Sequence, residues 1–239
     1  QYDINDYRGK TELTAQSLKT AIITALRAYK SIITIKNLNE EIDSTQRELL
    51  YTLGEIAETR GVGIGRHVER VGCIAAFLAE KMGFPFDQIE SIRLAASMHD
   101  IGKIAINDSI LNKPGKLTPE EFDLMKKHCD YGYELLRYSE RDLLKTASII
   151  ANEHHENYDS TGYPRGLKGD EIHLISRIVA VADVFDALAT KRVYKDPWPQ
   201  EEILSYIRSQ SGIKFDPAVV AVFFQNIDQI NALIAAIEE

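Results

Sequence analysis

The sequence has few cysteines and no long run of apolar residues, and each absence excludes a class of protein. Its two cysteines, Cys73 and Cys129, are not spaced as metal ligands and are too few for a disulfide framework, which fits a reducing compartment. No apolar stretch reaches the roughly 18 residues that a membrane span needs, and no signal-peptide pattern opens the chain. These absences predict a cytoplasmic protein without a membrane segment.

Positive charge is also scarce. Lysine and arginine number 28 against 36 aspartates and glutamates, which gives a net charge of −8. Binding of a nucleic acid polymer normally needs a broad basic face, so this function is disfavoured, whereas a small anionic ligand needs only a local positive pocket. The 239 residues, 44% of them hydrophobic, suffice for one substantial domain and a smaller element. Because the first residue is Gln1 rather than Met, we expect a part of a longer protein.

The sequence does contain histidines close to acidic residues. A single histidine is more often a core or surface residue than a metal ligand, but five of the six share this setting. They are His67, His99, His128, His154 and His155. Neutral imidazole and carboxylate together suit divalent Mn, Fe, Co, Ni and Zn. The pattern predicts a buried hydrolase centre with more than one metal ion. The sixth histidine, His173, fits no such pattern and is interpreted as a surface residue.

A carboxylate in an apolar helix supports the same interpretation. Asp183 lies within residues 175–185, a stretch that should form a largely buried helix. An unpaired carboxylate in such a place costs several kcal/mol of folding free energy. Coordination of a metal removes that cost, so Asp183 joins the predicted ligands.

The apolar periodicity is helical almost throughout, and no alternation of strands and helices appears. We therefore predict an all-α fold, a helical bundle preceded by a long coiled-coil-like helix. The predicted division is an N-terminal helical segment over 1–36, a linker and dimerisation helix over 37–59, and the main domain over 60–239. From Ile35 to Ile56 the apolar positions follow the three-four repeat of a two-stranded coiled coil. The alternative is that this helix packs on its own domain.

Local signals mark the ends of elements in the main domain. A glycine-rich stretch over 61–65 ends the linker helix, and His67 then opens the next helix. Thr118, followed by Pro119 and Glu121, predicts a helix start with a capping box. Residues 158–170 hold three glycines and a proline, which predicts a loop beside the histidines.

The order of these motifs resembles the HD-GYP family of the HD phosphohydrolase superfamily. The resemblance covers residues 50–223 and includes both signatures of the family name, His99-Asp100 and the loop signature Gly162-Tyr163-Pro164. It implies an HD-type helical bundle and a metal-dependent phosphodiesterase. Such enzymes open cyclic di-GMP to linear pGpG and often cut onward to GMP.

By this resemblance, seven side chains hold two divalent ions. The first ion would be held by His67, His99, Asp100 and Asp183. The second would be held by Asp100, His128, His154 and His155. Because neighbouring residues of a helix project about 100° apart, His99 and Asp100 on one helix would serve adjacent ions, with Asp100 bridging as the central catalytic residue. Two cations roughly 3.5–4 Å apart would activate a bridging hydroxide as the nucleophile. Iron or manganese is the expected metal, with nickel, cobalt and zinc as alternatives.

Cations outside the ligand set would bind the substrate phosphates. Lys103, three residues beyond Asp100, would lie near the same helical face and reach a non-bridging phosphate oxygen, which gives it a catalytic role. The phosphate and guanine contacts of the family map onto Arg192 and Lys195. Tyr163 would donate to the phosphate or stack near a base. For Arg192 and Lys195 the alternative is a solvated charge at a helix end.

Three residues depart from the family pattern. Many members recruit a third metal through a glutamate four residues before the first histidine ligand, and Gly63 stands at that position. We therefore predict a two-metal centre, unless a carboxylate such as Glu156 substitutes. Asn157 replaces a usual arginine and Ser160 a usual glycine, which concerns the geometry of the loop more than metal binding.

The first residues suggest a place in two-component signalling. Residues 3–13 resemble the end of a response-regulator receiver domain, so residues 1–36 would be a receiver remnant. With the coiled-coil repeat, this predicts a homodimer through the N-terminal helices. A diguanylate cyclase (GGDEF) protein, bound through the signature loop, is a candidate partner. Two alternatives to cyclic di-GMP hydrolysis stay open, namely hydrolysis of another cyclic dinucleotide such as cGAMP, and a catalytically silent sensor that binds cyclic di-GMP.

Overall fold

The computed structural model describes residues 14–60, 66–190 and 197–238. Within these ranges the regular elements are helices, and only isolated bridges join Asp159 to Lys168 and Ser211 to Phe215. The predicted all-α class is therefore confirmed. The α-helices, in chain order, are α1 (Ala15–Thr59), α2 (His67–Lys81), α3 (Phe86–Ala96), α4 (Asp108–Leu111), α5 (Pro119–Lys126), α6 (His128–Leu136), α7 (Asp142–Glu153), α8 (Leu174–Ala189), α9 (Gln200–Ser209), α10 (Pro217–Gln225) and α11 (Ile227–Glu238). Two 3-10 helices cover Ile101–Ala105 and Gly169–Glu171.

Helix α1 is longer than expected. Within the described range, the predicted helical segment over 1–36 and the predicted helix over 37–59 belong to one continuous helix of 45 residues, Ala15–Thr59. Contacts divide the chain into two compact units, with the boundary between residues 48 and 49 inside α1. The division into three segments with ends at 36 and 59 stays a prediction.

The core of the second unit forms where α2 and α8 bury their apolar faces. In α2 the residues Val71, Ile74 and Leu78 follow helical spacing and are fully buried. In α8 Ile178 and Phe185 are buried on the same principle, and the Phe185 ring meets Phe223 of α10 at 5.0 Å. Burial of each such side chain stabilises the fold by roughly 1.5–3 kcal/mol. This core fixes α2 and α8, which carry two of the predicted ligands.

The predicted start of α5 is confirmed. The Glu121 N–H donates to the Thr118 hydroxyl, and the Glu121 carboxylate accepts from the Thr118 N–H, which completes the capping box. The cap fixes the first turn of α5.

The predicted loop after α7 is tied to the turn before α10. The N–H groups of Tyr158 and Asp159 donate to the carbonyls of Lys214 and Ile213 at 3.2 and 2.9 Å. Ser160 adopts a positive φ of 77°, a conformation that glycine adopts more easily. The replacement of the usual glycine by Ser160 therefore keeps the left-handed backbone.

No single helix in the described part of the chain combines the length and apolar character needed to cross a membrane. Helices α10 and α11 meet those criteria only when taken as a pair, and they are bent by 73° to each other.

Candidate metal centre

Seven side chains from five stretches of the chain converge on one place. His67 begins α2 and His128 begins α6, while Asp183 lies inside α8. His154 and His155 directly follow the last residue of α7. Two clusters result, and the candidate ligand atoms within each lie within 4.8 Å of one another. The first cluster comprises His67, His99 and Asp183, and the second comprises Asp100, His128, His154 and His155.

The position of His99 and Asp100 corrects one expectation. Both were placed on a helix, but α3 ends at Ala96 and the two residues lie in the turn before the 3-10 helix Ile101–Ala105. Helical projection therefore does not set their directions. The turn still sends the two side chains to different clusters.

In the first cluster the imidazole Nε2 atoms surround carboxylate oxygens. The Nε2 atoms of His67 and His99 lie 3.5 and 3.9 Å from Oδ1 of Asp183. Nε2 of His99 is also 3.2 Å from Oδ2 of Asp100. Asp100 thus reaches the edge of this cluster with one of its two oxygens.

In the second cluster the other oxygen of Asp100 is the centre. Oδ1 of Asp100 lies 3.3 Å from Nε2 of His128 and 3.7 Å from Nε2 of His154. The ring of His155 is 4.0 Å from that of His154 and 5.1 Å from that of His128. The Asp100 carboxylate therefore stands between the clusters, one oxygen toward each.

Backbone carbonyls orient three of the histidines. Nδ1 of His99 is 2.9 Å from the Ala96 carbonyl, and Nδ1 of His128 is 2.8 Å from that of Met125. Nδ1 of His154 is 3.1 Å from the carbonyls at the end of α7. A carbonyl can only accept, so Nδ1 carries the proton in each ring. The carbonyls of a last helical turn have no partner within the helix, which explains why ring nitrogens after a helix meet them.

With Nδ1 bound to carbonyls, the rings present Nε2 to the centre of the clusters, an arrangement suited to binding a cation. Burial lowers the pKa of His128 to about 4, so the ring is neutral and its Nε2 has a lone pair directed at Asp100 Oδ1. Two electron-rich atoms facing each other are stabilised by a metal ion bound to both. Within the described ranges, Nε2 of His99 and Oδ1 of Asp100 are buried with no hydrogen-bond partner. Such unsatisfied polar atoms are costly, and metal coordination would satisfy them. The donor set therefore fits divalent metal.

Asp186 orients His67, and the sequence analysis missed it. Its fully buried carboxylate lies 2.6 Å from Nδ1 of His67 and accepts two hydrogen bonds from the guanidinium of Arg70. Burial opposes a charged imidazole, but the hydrogen bonds that its ring donates to Asp183 and Asp186 raise the pKa of His67 to about 10. A carboxylate that holds the far nitrogen of a ligand histidine is a common feature of metal sites. The signal in the sequence was helical spacing, since Asp186 follows Asp183 by three residues, as Arg70 follows His67.

Lys103 is held by two carboxylates. Its ammonium lies 2.7 Å from Oδ2 of Asp100 and 2.8 Å from Oε2 of Glu58, near the end of α1. Burial opposes the charge, but these two carboxylates raise the pKa of Lys103 above its usual value, which keeps it cationic. The predicted closeness of Lys103 to Asp100 is present. Glu58 was not predicted, because it lies 45 positions away in the sequence.

Glu156, which the sequence offers as a substitute metal ligand, binds backbone N–H groups of the signature loop. Its buried carboxylate accepts hydrogen bonds from the N–H groups of Arg165, Gly166 and Leu167, and these involve both of its oxygens. These bonds close the loop that carries the Gly162-Tyr163-Pro164 signature. Glu156 thus shapes the loop, and a metal bound to it would have to compete with three N–H donors.

Tyr163 lies beside the second cluster. Its ring is 4.8 Å from that of His155 and 6.5 Å from that of His128. Burial raises the pKa of the Tyr163 phenol, so it stays protonated and can donate a hydrogen bond. At Gly162 an added Cβ would lie 2.2 Å from the Asn157 backbone nitrogen, so only glycine fits there.

The remaining candidates fall into two groups. His173 is exposed and accepts a hydrogen bond from the Ile175 N–H at the start of α8, in line with the expected surface role. The predicted substrate contacts Arg192 and Lys195, and the departure at Gly63, lie outside the described residues.

A family model described as HD domain matches residues 51–219. The chain is 42% identical over 88% of its length to the 3'3'-cGAMP-specific phosphodiesterase 2 of Vibrio cholerae, covering 41% of that protein. It is 43% identical over 81% of its length to a cyclic di-GMP phosphodiesterase response regulator of Xanthomonas campestris, covering 51% of it. It is 47% identical over 74% of its length to a cyclic di-GMP phosphodiesterase of Thermotoga maritima, covering 48% of it. The chain thus spans about half the length of these relatives.

Two solved structures share the fold. A cyclic GMP-AMP specific phosphodiesterase of V. cholerae matches with a TM-score of 0.57 at 21% identity, over 76% of this chain and 48% of the other. An HDGYP protein of Bdellovibrio bacteriovorus matches with a TM-score of 0.54 at 24% identity, over 70% of this chain and 53% of the other. The match over residues 51–219 and the likeness to the curated relatives confirm the resemblance seen in the sequence, and the chain belongs to the HD domain family.

Proposed function

We propose that the protein hydrolyses cyclic di-GMP to pGpG, GMP or both, at a centre of two divalent metal ions. Iron or manganese is the expected metal. The observation that carries the proposal is the Asp100 carboxylate, which presents one oxygen to each of two adjacent imidazole clusters. The curated relatives support the substrate class, since two of those named above are cyclic di-GMP phosphodiesterases.

The residues of the chain would divide the work as follows. His67, His99 and Asp183 would hold the first ion, His128, His154 and His155 the second, and Asp100 both. When bound, the two ions would polarise a water molecule and the phosphate oxygens that gain charge. Lys103, a cation beside Asp100, would lie close to the phosphate, and the protonated Tyr163 phenol would donate to it. Arg192 and Lys195 stay predicted phosphate and guanine contacts.

The proposal is tested by hydrolysis with purified protein. Protein isolated without oxygen and loaded with manganese or iron should convert cyclic di-GMP to pGpG or GMP. Asp100→Ala should abolish turnover, whereas Asp142→Ala, which removes a fully exposed carboxylate at the start of α7, should leave it unchanged. Inert wild-type protein under both metals, with unimpaired cyclic di-GMP binding in Asp100→Ala, would favour a silent sensor.

A second substrate has direct support. One relative that aligns over 88% of this chain, at 42% identity, is named as specific for 3'3'-cGAMP. The two cyclic dinucleotides differ in one nucleobase, so base contacts rather than the metal centre decide between them. Parallel measurement of kcat/KM on cyclic di-GMP and 3'3'-cGAMP separates the two, and we expect cyclic di-GMP to be preferred.

We also propose that the protein forms a homodimer through α1 and works in two-component signalling. Along α1 the side chains of Ile35, Leu38 and Ile42 are 59%, 51% and 52% exposed, and they follow the three-four repeat of a coiled coil. The relative from Xanthomonas is a response regulator. Receiver-domain origin of the first residues, a GGDEF partner and a cytoplasmic location stay predictions, the last supported by the free thiols of Cys73 and Cys129.

A further inference from the structure

An exposed aromatic side chain, Phe122, lies against Tyr163 near the second cluster. Phe122 of α5 meets the ring of Tyr163 at 6.2 Å with an interplanar angle of 80°. The ammonium of Lys126, one turn further along α5, lies 5.1 Å from the Phe122 ring and 5.9 Å from the Tyr163 ring. Phe122, Tyr163 and Lys126 together form the aromatic patch.

The patch is connected to the candidate metal centre by ring contacts. One step of 4.8 Å leads from His155 to Tyr163, and a second of 6.2 Å leads from Tyr163 to Phe122. Phe122 therefore lies near the centre but is too far away to touch an ion bound there. A substrate bound at the centre through one phosphate would reach Phe122 only with another part of the molecule.

Phe122 is also open to solvent. It is 46% exposed, and its contact with Tyr163 is edge-to-face, so that contact covers no more than one face of either ring. Because Phe122 is only partly buried, it stabilises the fold less than a core phenylalanine would. Leu124 on the same helix is 43% exposed but lies about 200° around the helix axis, away from Tyr163.

We propose that Phe122 is a base-stacking residue that binds one nucleobase of the cyclic dinucleotide. The inference rests on the proposed function, because a cyclic dinucleotide held at the metal centre by one phosphate carries its bases beyond that centre. Every nucleobase has a π-face, and stacking on an exposed aromatic ring is a recurrent way to hold one. Lys126, whose ammonium lies over the Phe122 ring at 5.1 Å, adds positive charge to the patch, although it also forms an ion pair with Asp123 at 2.6 Å. Phe122 would thus contribute to substrate affinity and to the choice between bases.

The test compares three variants of the full chain. F122L keeps an apolar side chain but removes the π-face, and F122W keeps a π-face. L124A is a control at a position of similar exposure on the same helix. For F122L we expect KM for cyclic di-GMP to rise roughly 5- to 100-fold with kcat nearly unchanged, in keeping with the loss of one stacked base. F122W and L124A should keep KM within about twofold, and all variants should keep their metal content.

Several outcomes would overturn the proposal. KM of F122L equal to that of wild-type protein would do so, as would an equal loss in F122L and F122W, which would indicate packing rather than stacking. If wild-type protein binds cyclic di-GMP without turnover, the proposed function fails, and the same variants are compared by equilibrium Kd. Equal Kd values would then refute the stacking role by itself, and absence of any binding to wild-type protein would refute both.

Discussion

Asp186 shows how a residue outside the two clusters can orient a candidate metal ligand. It is fully buried, and its two oxygens serve His67 and Arg70. The bond to Nδ1 fixes the ring so that Nε2 points to Asp183. The bonds from Arg70 compensate the cost of burying the carboxylate. Asp186 is therefore a positioning residue for the first cluster.

Replacement of Asp186 by asparagine should weaken metal binding while the fold remains. The amide keeps the size of the side chain but removes the negative charge that orients and polarises His67. We expect the affinity for manganese to fall roughly 10- to 100-fold, measured by competition with a chelator. Asp170→Asn, which removes a carboxylate that pairs with Arg177 on the surface, is the matched control and should leave affinity unchanged. Equal affinities of wild-type protein and Asp186→Asn would contradict the positioning role.

The two clusters should also differ in their response to pH. His67, with a pKa raised to about 10 by Asp183 and Asp186, keeps a proton at about pH 7 that a metal must displace. The affinity of the first cluster should therefore rise with pH up to about pH 10. His128, whose pKa is lowered to about 4, is already neutral, so above about pH 5 it adds no such dependence.

Calorimetric titration in two buffers of different ionisation enthalpy counts the released protons. In a His128→Ala/His155→Ala double variant only the first cluster remains, and manganese binding should release about one proton or more per ion at about pH 7. In a His67→Ala/His99→Ala variant the release should be clearly smaller. Equal proton release in the two variants would show that the electrostatic difference between the clusters is wrong.

At this scale the sequence predicted the side chains that converge in the two clusters but not the residues that orient them. Six of the seven predicted ligands, five histidines and Asp100, belong to recognisable motifs. The seventh, Asp183, was predicted because its neighbours in the sequence are apolar. Asp186 and Glu58 carry no motif. Their roles depend on which helices pack together, and a single sequence contains only the faint signal of helical spacing for such contacts.

At the scale of elements, the placement of His128 depends on a very close approach of backbones. The 3-10 helix Ile101–Ala105 packs on the start of α6 at Gly102. A Cβ atom added there would lie 1.9 Å from the His128 carbonyl oxygen and 2.5 Å from the Gly132 nitrogen. Both obstacles are backbone atoms, which a rotamer change cannot move. Glycine at this position allows α6 to bring His128 to Asp100.

Gly102→Ala should therefore damage both stability and the second cluster. We expect the free energy of unfolding in urea to fall by more than about 3 kcal/mol, since the overlap can be relieved only by separating the elements. Metal content should fall with it. Gly115→Ala is the control, because its Cβ meets no atom within 4 Å and only the positive φ of 112° opposes it, at a cost of about 1–2 kcal/mol. A loss for Gly102→Ala no larger than for Gly115→Ala would contradict the close packing.

Elements whose ends carry chemical signals were predicted well, and others were not. The start of α5 was predicted from Thr118 and Glu121, because a capping box is a hydrogen-bond pattern between residues that are close in the sequence. The end of α3 at Ala96 was missed, since no glycine or proline follows it and packing of the turn against its neighbours decides where it ends. The length of α1 was underestimated because no signal separates two helices from one continuous helix.

At the scale of the whole molecule, α1 runs through both compact units of the chain. Glu58 near its C-terminal end pairs with Lys103, which in turn pairs with Asp100. Along its first part α1 exposes a row of large apolar side chains, among them Leu18, Ile22 and Leu26. Such a surface is typical of a helix that pairs with another copy.

Charges placed on this row should disrupt the proposed dimer. Ile35→Lys combined with Ile42→Lys places cations at two positions of the repeat that are 59% and 52% exposed. We expect analytical ultracentrifugation to show a dimer for wild-type protein at micromolar concentration and a monomer for the variant. Lys19→Glu combined with Lys36→Glu, which changes polar positions on α1, should leave the dimer intact. A wild-type protein that sediments as a monomer would refute the proposal.

The two-metal centre is tested most directly by an anomalous difference map from crystals grown with ample manganese and recorded near the manganese edge. We expect two strong peaks, one among His67, His99 and Asp183 and one among His128, His154 and His155, with Asp100 coordinated to both. A map with no peak among these side chains, or with a single peak that Asp100 does not contact, would refute the two-metal centre.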